Sequence, residues 1–181
     1  MLVRIAGLGY QRGFGGHFHN DNSMTALRDI PGIVVGCPSR GDDAVEMLRT
    51  LAALATVDGR VALFLEPIAL YMTKDLHEAG DGQWLFPYPP QDEAMPLGEG
   101  RVYGEDADDL VIFTYGNGVP MSLRAARRIE AAHGWKVRVV DLRWLVPLNE
   151  AFIVEQARSA KRILVVDEGR RSAGVGEGVI T

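Results

Sequence analysis

The sequence predicts an α/β protein built from two parallel-sheet units, and three features of the chain point that way. Six short runs rich in valine, isoleucine, leucine and phenylalanine show little strict alternation, as strands covered on both faces do. Stretches with apolar residues at helical spacing lie between several of them, and alternating strands and helices imply parallel sheets. A long segment without apolar period, rich in proline, glycine and acids, divides the runs into two groups.

The expected strands are 2–6, 33–36, 61–65, 110–114, 136–140 and 163–166. Between the second and third, Ser39 stands three residues before Asp42 in a capping-box arrangement, and Val45, Leu48, Ala52 and Ala55 follow at helical spacing. A second helix is expected from about Ser122 to His133, with Leu123, Ala126 and Ile129 on one side and Arg124, Arg127 and Arg128 on the other. Gly134 supplies its stop. A third starts near Asn149 and carries Phe152, Ile153 and Ala157, with Lys161 and Arg162 placed where positive charge suits a helix C-terminus.

The dividing segment runs from Asp75 to Asp109, with Pro87, Pro89, Pro90 and Pro96 close together. It is too long for an ordinary loop inside one unit, so the expected organisation is a unit over 1–88, a linker over 89–105 and a second unit over 106–181. Both ends read as unfinished. Leu2 onward already looks like a strand interior, and Val179, Ile180 and Thr181 close the chain where a docking helix would ordinarily begin. The expectation is a piece of a longer protein, with Met1 as a native start the less favoured alternative.

Composition narrows the function classes. A formal net charge of -5 and a pI near 5.4 argue against nucleic acid as a partner. The longest apolar runs fall far short of the roughly 20 residues of a membrane helix, and no signal-peptide pattern opens the chain, so a cytoplasmic protein without a membrane partner is expected. Cys37 is the only cysteine, which leaves neither an internal disulfide nor a thiolate cluster.

Three glycine segments invite functional readings. Gly7, Gly9 and Gly13 follow a strand, but their spacing is not that of a dinucleotide loop and no helix pattern follows. Gly80-Asp81-Gly82 reads as a turn. The segment from Gly13 to Ser23 is the candidate site, because it places His17, His19, Asn20 and Asn22 in a backbone from which bulky residues are largely kept out. Glycine lets the main chain approach a ligand, and an imidazole there can donate, accept or shuttle a proton near neutral pH. A surface loop with idle histidines, or His17 and His19 as metal ligands, are the alternatives; no third ligand stands at a recognisable spacing.

The surrounding words resemble a family. Gly15-Gly16 with His19, then Asp29-Ile30-Pro31-Gly32-Ile33-Val34-Val35, Cys37-Pro38-Ser39 and Asp42-Asp43-Ala44, is similar to the β-type chain of 2-oxo acid dehydrogenases. Phe64-Leu65-Glu66-Pro67 through Leu70-Tyr71 resembles the family's strand ending in Glu-Pro, and Thr114-Tyr115-Gly116, Val140 to Asn149 and Val166 to Gly176 resemble its C-terminal domain in order and spacing. The resemblance implies a partial thiamine pyrimidine-binding domain followed by a truncated transketolase C-terminal-like domain.

It also implies roles. His19, twelve residues before Pro31, matches the family's active-site histidine, which faces the reactive carbon of the cofactor and its substrate. His17, Asn20 and Asn22 would line the same pocket as substrate contacts, although His-Asn-Asp-Asn-Ser departs from the usual His-Ser-Gln-Ser and leaves the 2-oxo acid open. Tyr115, Arg143 and Glu168 match fold-defining positions. The implied cofactors are thiamine diphosphate and Mg²⁺, held by the parent enzyme with key residues outside this chain. The family's activating glutamate would precede Met1, and its Gly-Asp-Gly…Asn metal motif finds no asparagine between Asn22 and Asn117. Implied partners are a diphosphate-binding α-type chain or domain, a lipoyl acyltransferase core and further copies of the chain. A transketolase or deoxyxylulose-phosphate synthase, or a non-catalytic docking module, are the rival readings. His19 is expected at the C-terminal edge of the first sheet.

Overall fold

The computed structural model describes residues 1–9 and 22–181. Strand β1 (Leu2–Gly7) is followed by a 3-10 turn at Ser23–Asp29, strand β2 (Val34–Gly36), helix α1 (Gly41–Thr56) and strand β3 (Ala62–Pro67). β1 and β2 both pair in parallel with β3, and the crossover through α1 returns the chain from β2 to β3 in the same direction. The second half holds β4 (Arg101–Tyr103), β5 (Leu110–Thr114), α2 (Gly118–His133), β6 (Val137–Asp141), β7 (Trp144–Val146), α3 (Glu150–Ala157), β8 (Ile163–Val165) and α4 (Val175–Ile180). β5 lies parallel to both β6 and β8.

Neither sheet is purely parallel. β4 runs antiparallel to β6, giving the order β4-β6-β5-β8, and it forms inside the segment expected as linker. β7 leaves the second half and runs antiparallel to β2, completing the order β1-β3-β2-β7. The corner that sends it there is Arg143, whose φ of 58 reverses the chain while its carbonyl accepts the Cys37 amide at 2.8 Å. The two sheets therefore share one apolar interior, in which Leu8, Val35, Leu63 and Leu65 meet Phe113, Tyr115, Leu142 and Leu145. Burying each large side chain of this set contributes about 1.5–3 kcal/mol.

The helices follow their expected signals with several departures, among them that α3 ends at Ala157, short of Lys161 and Arg162. Asn149 caps α3 by accepting the Phe152 amide at 3.1 Å, and Gly134 ends α2 in the left-handed region at φ 69. α2 starts at Gly118, earlier than expected; Pro120 sits in its first turn, where a missing N–H costs nothing. Ser39 does not cap α1: the N-cap residue is Arg40, without a side-chain cap bond, and the Ser39 hydroxyl donates instead to the buried Asp141 carboxylate. A buried acceptor is costlier to abandon than an exposed helix end, so Asp141 takes the hydroxyl. At the chain end, Val175–Ile180 form α4, so a helix begins before the position expected.

The segment around Asp75–Gly100 is packed down. Trp84 is buried and donates its indole N–H to the Ser39 carbonyl at 3.1 Å, and Met95 packs with Met47 and Leu51. Asp81 accepts the backbone N–H groups of Leu76, His77, Glu78 and Gln83, which holds its carboxyl well below the usual range, and Asp75 accepts those of Gly80 and Gly82. No helix among the described residues is long and apolar enough to cross a membrane.

Candidate functional site

The C-terminal edges of the two sheets meet. Gly116, directly after β5 and Tyr115, has φ 52, and a Cβ built on it would lie 2.9 Å from Leu8 Cδ1, 3.0 Å from Cys37 Sγ and 3.3 Å from Pro67 Cγ. Leu8 follows β1, Cys37 follows β2 and Pro67 ends β3, so all three C-terminal strand ends of the first unit converge on one glycine of the second. Any side chain at Gly116 would wedge the edges apart.

Asn22 sits in this junction. Its Oδ1 accepts the Gly9 amide at 2.8 Å, and its Nδ2 donates to the Glu168 carbonyl at 2.6 Å. The two residues flanking the histidine segment are thus bonded to each other, and the pair is bonded to the second unit. Of the expected site residues, Asn22 is the one that can be placed; His17, His19 and Asn20 lie outside the described residues. Gly9 and Asn22 both stand at the C-terminal edge of the first sheet, where His19 was expected.

Residues of the Tyr115 and 166–176 stretches complete the junction, together with Asn117 and Arg28, which carry no sequence signal of their own. Asn117 donates to Glu168 Oε1 at 3.0 Å, and the Tyr115 hydroxyl donates to Asp167 Oδ1 at 2.6 Å. Asp167 also accepts the amides of Gly169 and Gly176, each at 2.7 Å, which folds the 167–176 turn around one carboxylate. Burial and the Asp167 charge push the Tyr115 phenol far above its ordinary range. Arg28 reaches the same turn, donating to the carbonyls of Ala173, at 3.1 Å, and Gly174. A cavity of about 190 Å³ opens here between Tyr115, Asn117, Met121 and Glu168.

Cys37 is fully buried, and burial, followed by the nearby Asp141 and Glu168 charges, raises its thiol well above the ordinary value. It packs as a small apolar group, since only the thiolate is a strong nucleophile. Tyr115 and Arg143, matched to fold-defining positions, are buried. Arg143 donates to Asp43 at 2.8 Å and comes within 3.6 Å of Glu99. A separate cavity of about 590 Å³ lies on the α1 side of the first sheet, walled by Leu48, Phe64, Trp84 and Phe86, with Arg4 and Tyr71 both bonded to Glu66. No grouping of three or more metal-ligating side chains occurs among the described residues.

This arrangement has recognisable relatives. Residues 98–181 match the family model of the transketolase C-terminal domain. The chain is 33% identical over 180 residues to the 3-methyl-2-oxobutanoate dehydrogenase subunit beta of Mycobacterium tuberculosis (strain CDC 1551 / Oshkosh), a match covering 99% of this chain and 46% of that protein. Dehydrogenase β subunits are thus among the proteins that the chain is similar to. Another is the pyruvate dehydrogenase E1 component subunit beta of Staphylococcus aureus (strain Mu50 / ATCC 700699), 32% identical over 172 residues, with 92% of this chain and 48% of that protein covered. The chain spans about half the length of these curated relatives. Among solved structures, a split-gene transketolase described as an inactive beta4 tetramer superposes with a TM-score of 0.65 at 20% identity over 98% of this chain and 50% of that one, a likeness of fold. The shared fold is transketolase-like α/β, as the resemblance implied.

Proposed function

We propose that the chain is part of a thiamine-diphosphate-dependent 2-oxo acid dehydrogenase, which decarboxylates a 2-oxo acid and passes the acyl group to lipoamide. The observation that carries this reading is the Asn22 clasp, which joins the two flanks of the histidine segment at the junction of both sheet edges, in a chain related along 99% of its length to a dehydrogenase β subunit. His19 is the catalytic group, an imidazole able to hydrogen-bond a 2-oxo acid and move a proton. His17 and Asn20 are its companions as substrate contacts. Asn22, engaged by backbone at both ends of its amide, enters the same pocket mainly by holding the segment in place.

Thiamine diphosphate would supply the carbanion chemistry. The described residues do not fit its diphosphate and Mg²⁺, because the Asp81 carboxylate is taken up by four backbone amides and no metal-ligating group is assembled. We place that site on an α-type partner, with a lipoyl acyltransferase core and further copies of this chain as the other partners, in the cytoplasm. A transketolase-type sugar-phosphate reaction is the alternative, supported by likeness of fold.

The test is reconstitution. The chain within its whole β protein, combined with an α-type partner, is assayed with pyruvate, branched-chain 2-oxo acids and ketose phosphates. Turnover of a 2-oxo acid, reduced by about 10²-fold or more in His19→Ala, supports the reading. Turnover of ketose phosphates alone overturns it. The 181-residue chain alone should gain negligible stability from thiamine diphosphate with Mg²⁺, whereas a ligand at one hundred times its Kd would add about 2.7 kcal/mol.

A further inference from the structure

A groove of about 1080 Å³ runs between the 3-10 turn at Ile68–Leu70 and helix α2. Ile68, Leu70, Met121 and Ile129 give it an apolar lining, and its charges are Arg124 and Arg128, one helical turn apart. No carboxylate lines it among the described residues. Arg127, on the same helix, pairs with Glu78 at 3.5 Å, but neither Arg124 nor Arg128 forms an ion pair among the described residues. Among the described residues Arg124 donates only to the Pro120 carbonyl one turn back, at 3.2 Å. In a chain with 24 acids against 19 lysines and arginines, two cations without carboxylates beside an apolar lining are a local inversion of charge. The groove also shares Asn117 and Met121 with the small cavity at the sheet junction, so an occupant would lie beside the candidate site.

We propose that this groove docks an acidic, amphipathic polypeptide segment of a partner protein, with its apolar side chains against the lining and its carboxylates on Arg124 and Arg128. Exposed charges alone bind weakly and are screened by salt, so a small anion would gain little here. A polypeptide adds burial against Ile68, Leu70, Met121 and Ile129, which salt does not screen. Docking does not depend on which reaction the parent enzyme carries out.

The probe is a fluorescein-labelled peptide of alternating glutamates and leucines, titrated with the full chain and followed by anisotropy. Arg124→Glu combined with Arg128→Glu should weaken binding by about tenfold or more. Arg60→Glu combined with Arg158→Glu makes the same change of net charge at exposed positions outside the groove and should leave affinity within about twofold. Ala125→Trp fills the groove without altering charge and should also weaken binding about tenfold. A lysine-for-glutamate peptide should not bind. The proposal is overturned if the wild-type chain does not bind the peptide, if the control pair weakens binding as much as the groove pair, or if Ala125→Trp binds like wild type. Displacement of the peptide by millimolar inorganic phosphate at constant ionic strength would equally overturn it, in favour of a small-anion site. Should the groove pair unfold on urea titration, the Ala125→Trp result decides.

Discussion

The Asn22 side-chain amide donates to the Glu168 backbone carbonyl at 2.6 Å, joining residues 146 positions apart, while its oxygen holds the Gly9 amide. One side chain thereby ties the flanks of the histidine segment to each other and to the second unit. Asn22→Ala removes both bonds and should lower the urea unfolding free energy by about 1–3 kcal/mol. Asn22→Asp keeps an acceptor for Gly9 but sets a carboxylate against the Glu168 carbonyl, so it should be no better than alanine. A urea midpoint for Asn22→Asp equal to wild type would show that the Glu168 contact contributes nothing.

Asp43 and Arg143 form a buried pair at 2.8 Å, with Arg101 also donating to Asp43 at 2.9 Å. Removing one charge strands the other, so Asp43→Ala should destabilise by about 3–5 kcal/mol. Combining it with Arg143→Met should cost less than the sum of the two single changes, which a double-mutant cycle by denaturant unfolding would read out. Strict additivity would mean that the pair is not coupled.

Burial pushes the Asp141 carboxyl up to about 7, against the opposing pull of Ser39 and Arg143 and with added repulsion from Asp43. The folded state then binds more protons than the unfolded one between the ordinary value of 3.8 and about 7. Across that window this group makes stability fall as pH rises, by at most about 1.4 kcal/mol per pH unit. Below it the contribution is fully favourable, and above it the loss is complete. Asp141→Asn should remove this slope, so that the stability of the variant relative to wild type rises from pH 4 to pH 7. A pH-independent difference in urea unfolding would refute the assignment.

Gly116→Ala forces a Cβ into a position 2.9 Å from Leu8 and a backbone at φ 52 that alanine disfavours. The expected loss is about 2 kcal/mol or more, visible as a lower thermal midpoint. Gly32→Ala is the control, since its φ is 84 but no atom lies within 4 Å of the added carbon. It should cost less than Gly116→Ala.

How much of this could be read beforehand depended on where each residue finds its partner. Leu110–Thr114 and Val137–Asp141 are buried along their whole length, and their high share of valine, isoleucine, leucine and phenylalanine announced them. Gly134 and Asn149 act within one turn of their own helices and were equally plain. Ser39 misled because the acceptor that captures its hydroxyl is 102 residues away. β4 and β7, three residues each, are too short to show a period and exist because β6 and β2 offer edges to pair with. At the site, glycines and histidines made the 13–23 segment visible, whereas Asn117 and Arg28 carry no pattern of their own and gain meaning only from the fold.

β7 gives the order of synthesis a consequence. The first sheet is laid down by residue 67, yet its last strand is made only at Trp144–Val146, after β4, β5, α2 and β6. On the ribosome the β2 edge must wait, exposed, for some eighty residues of later chain, at the usual pace of about 5–20 residues per second. An open strand edge is a site for pairing with the wrong chain. Chaperone dependence during translation should therefore be concentrated in that interval and end once Val146 has emerged.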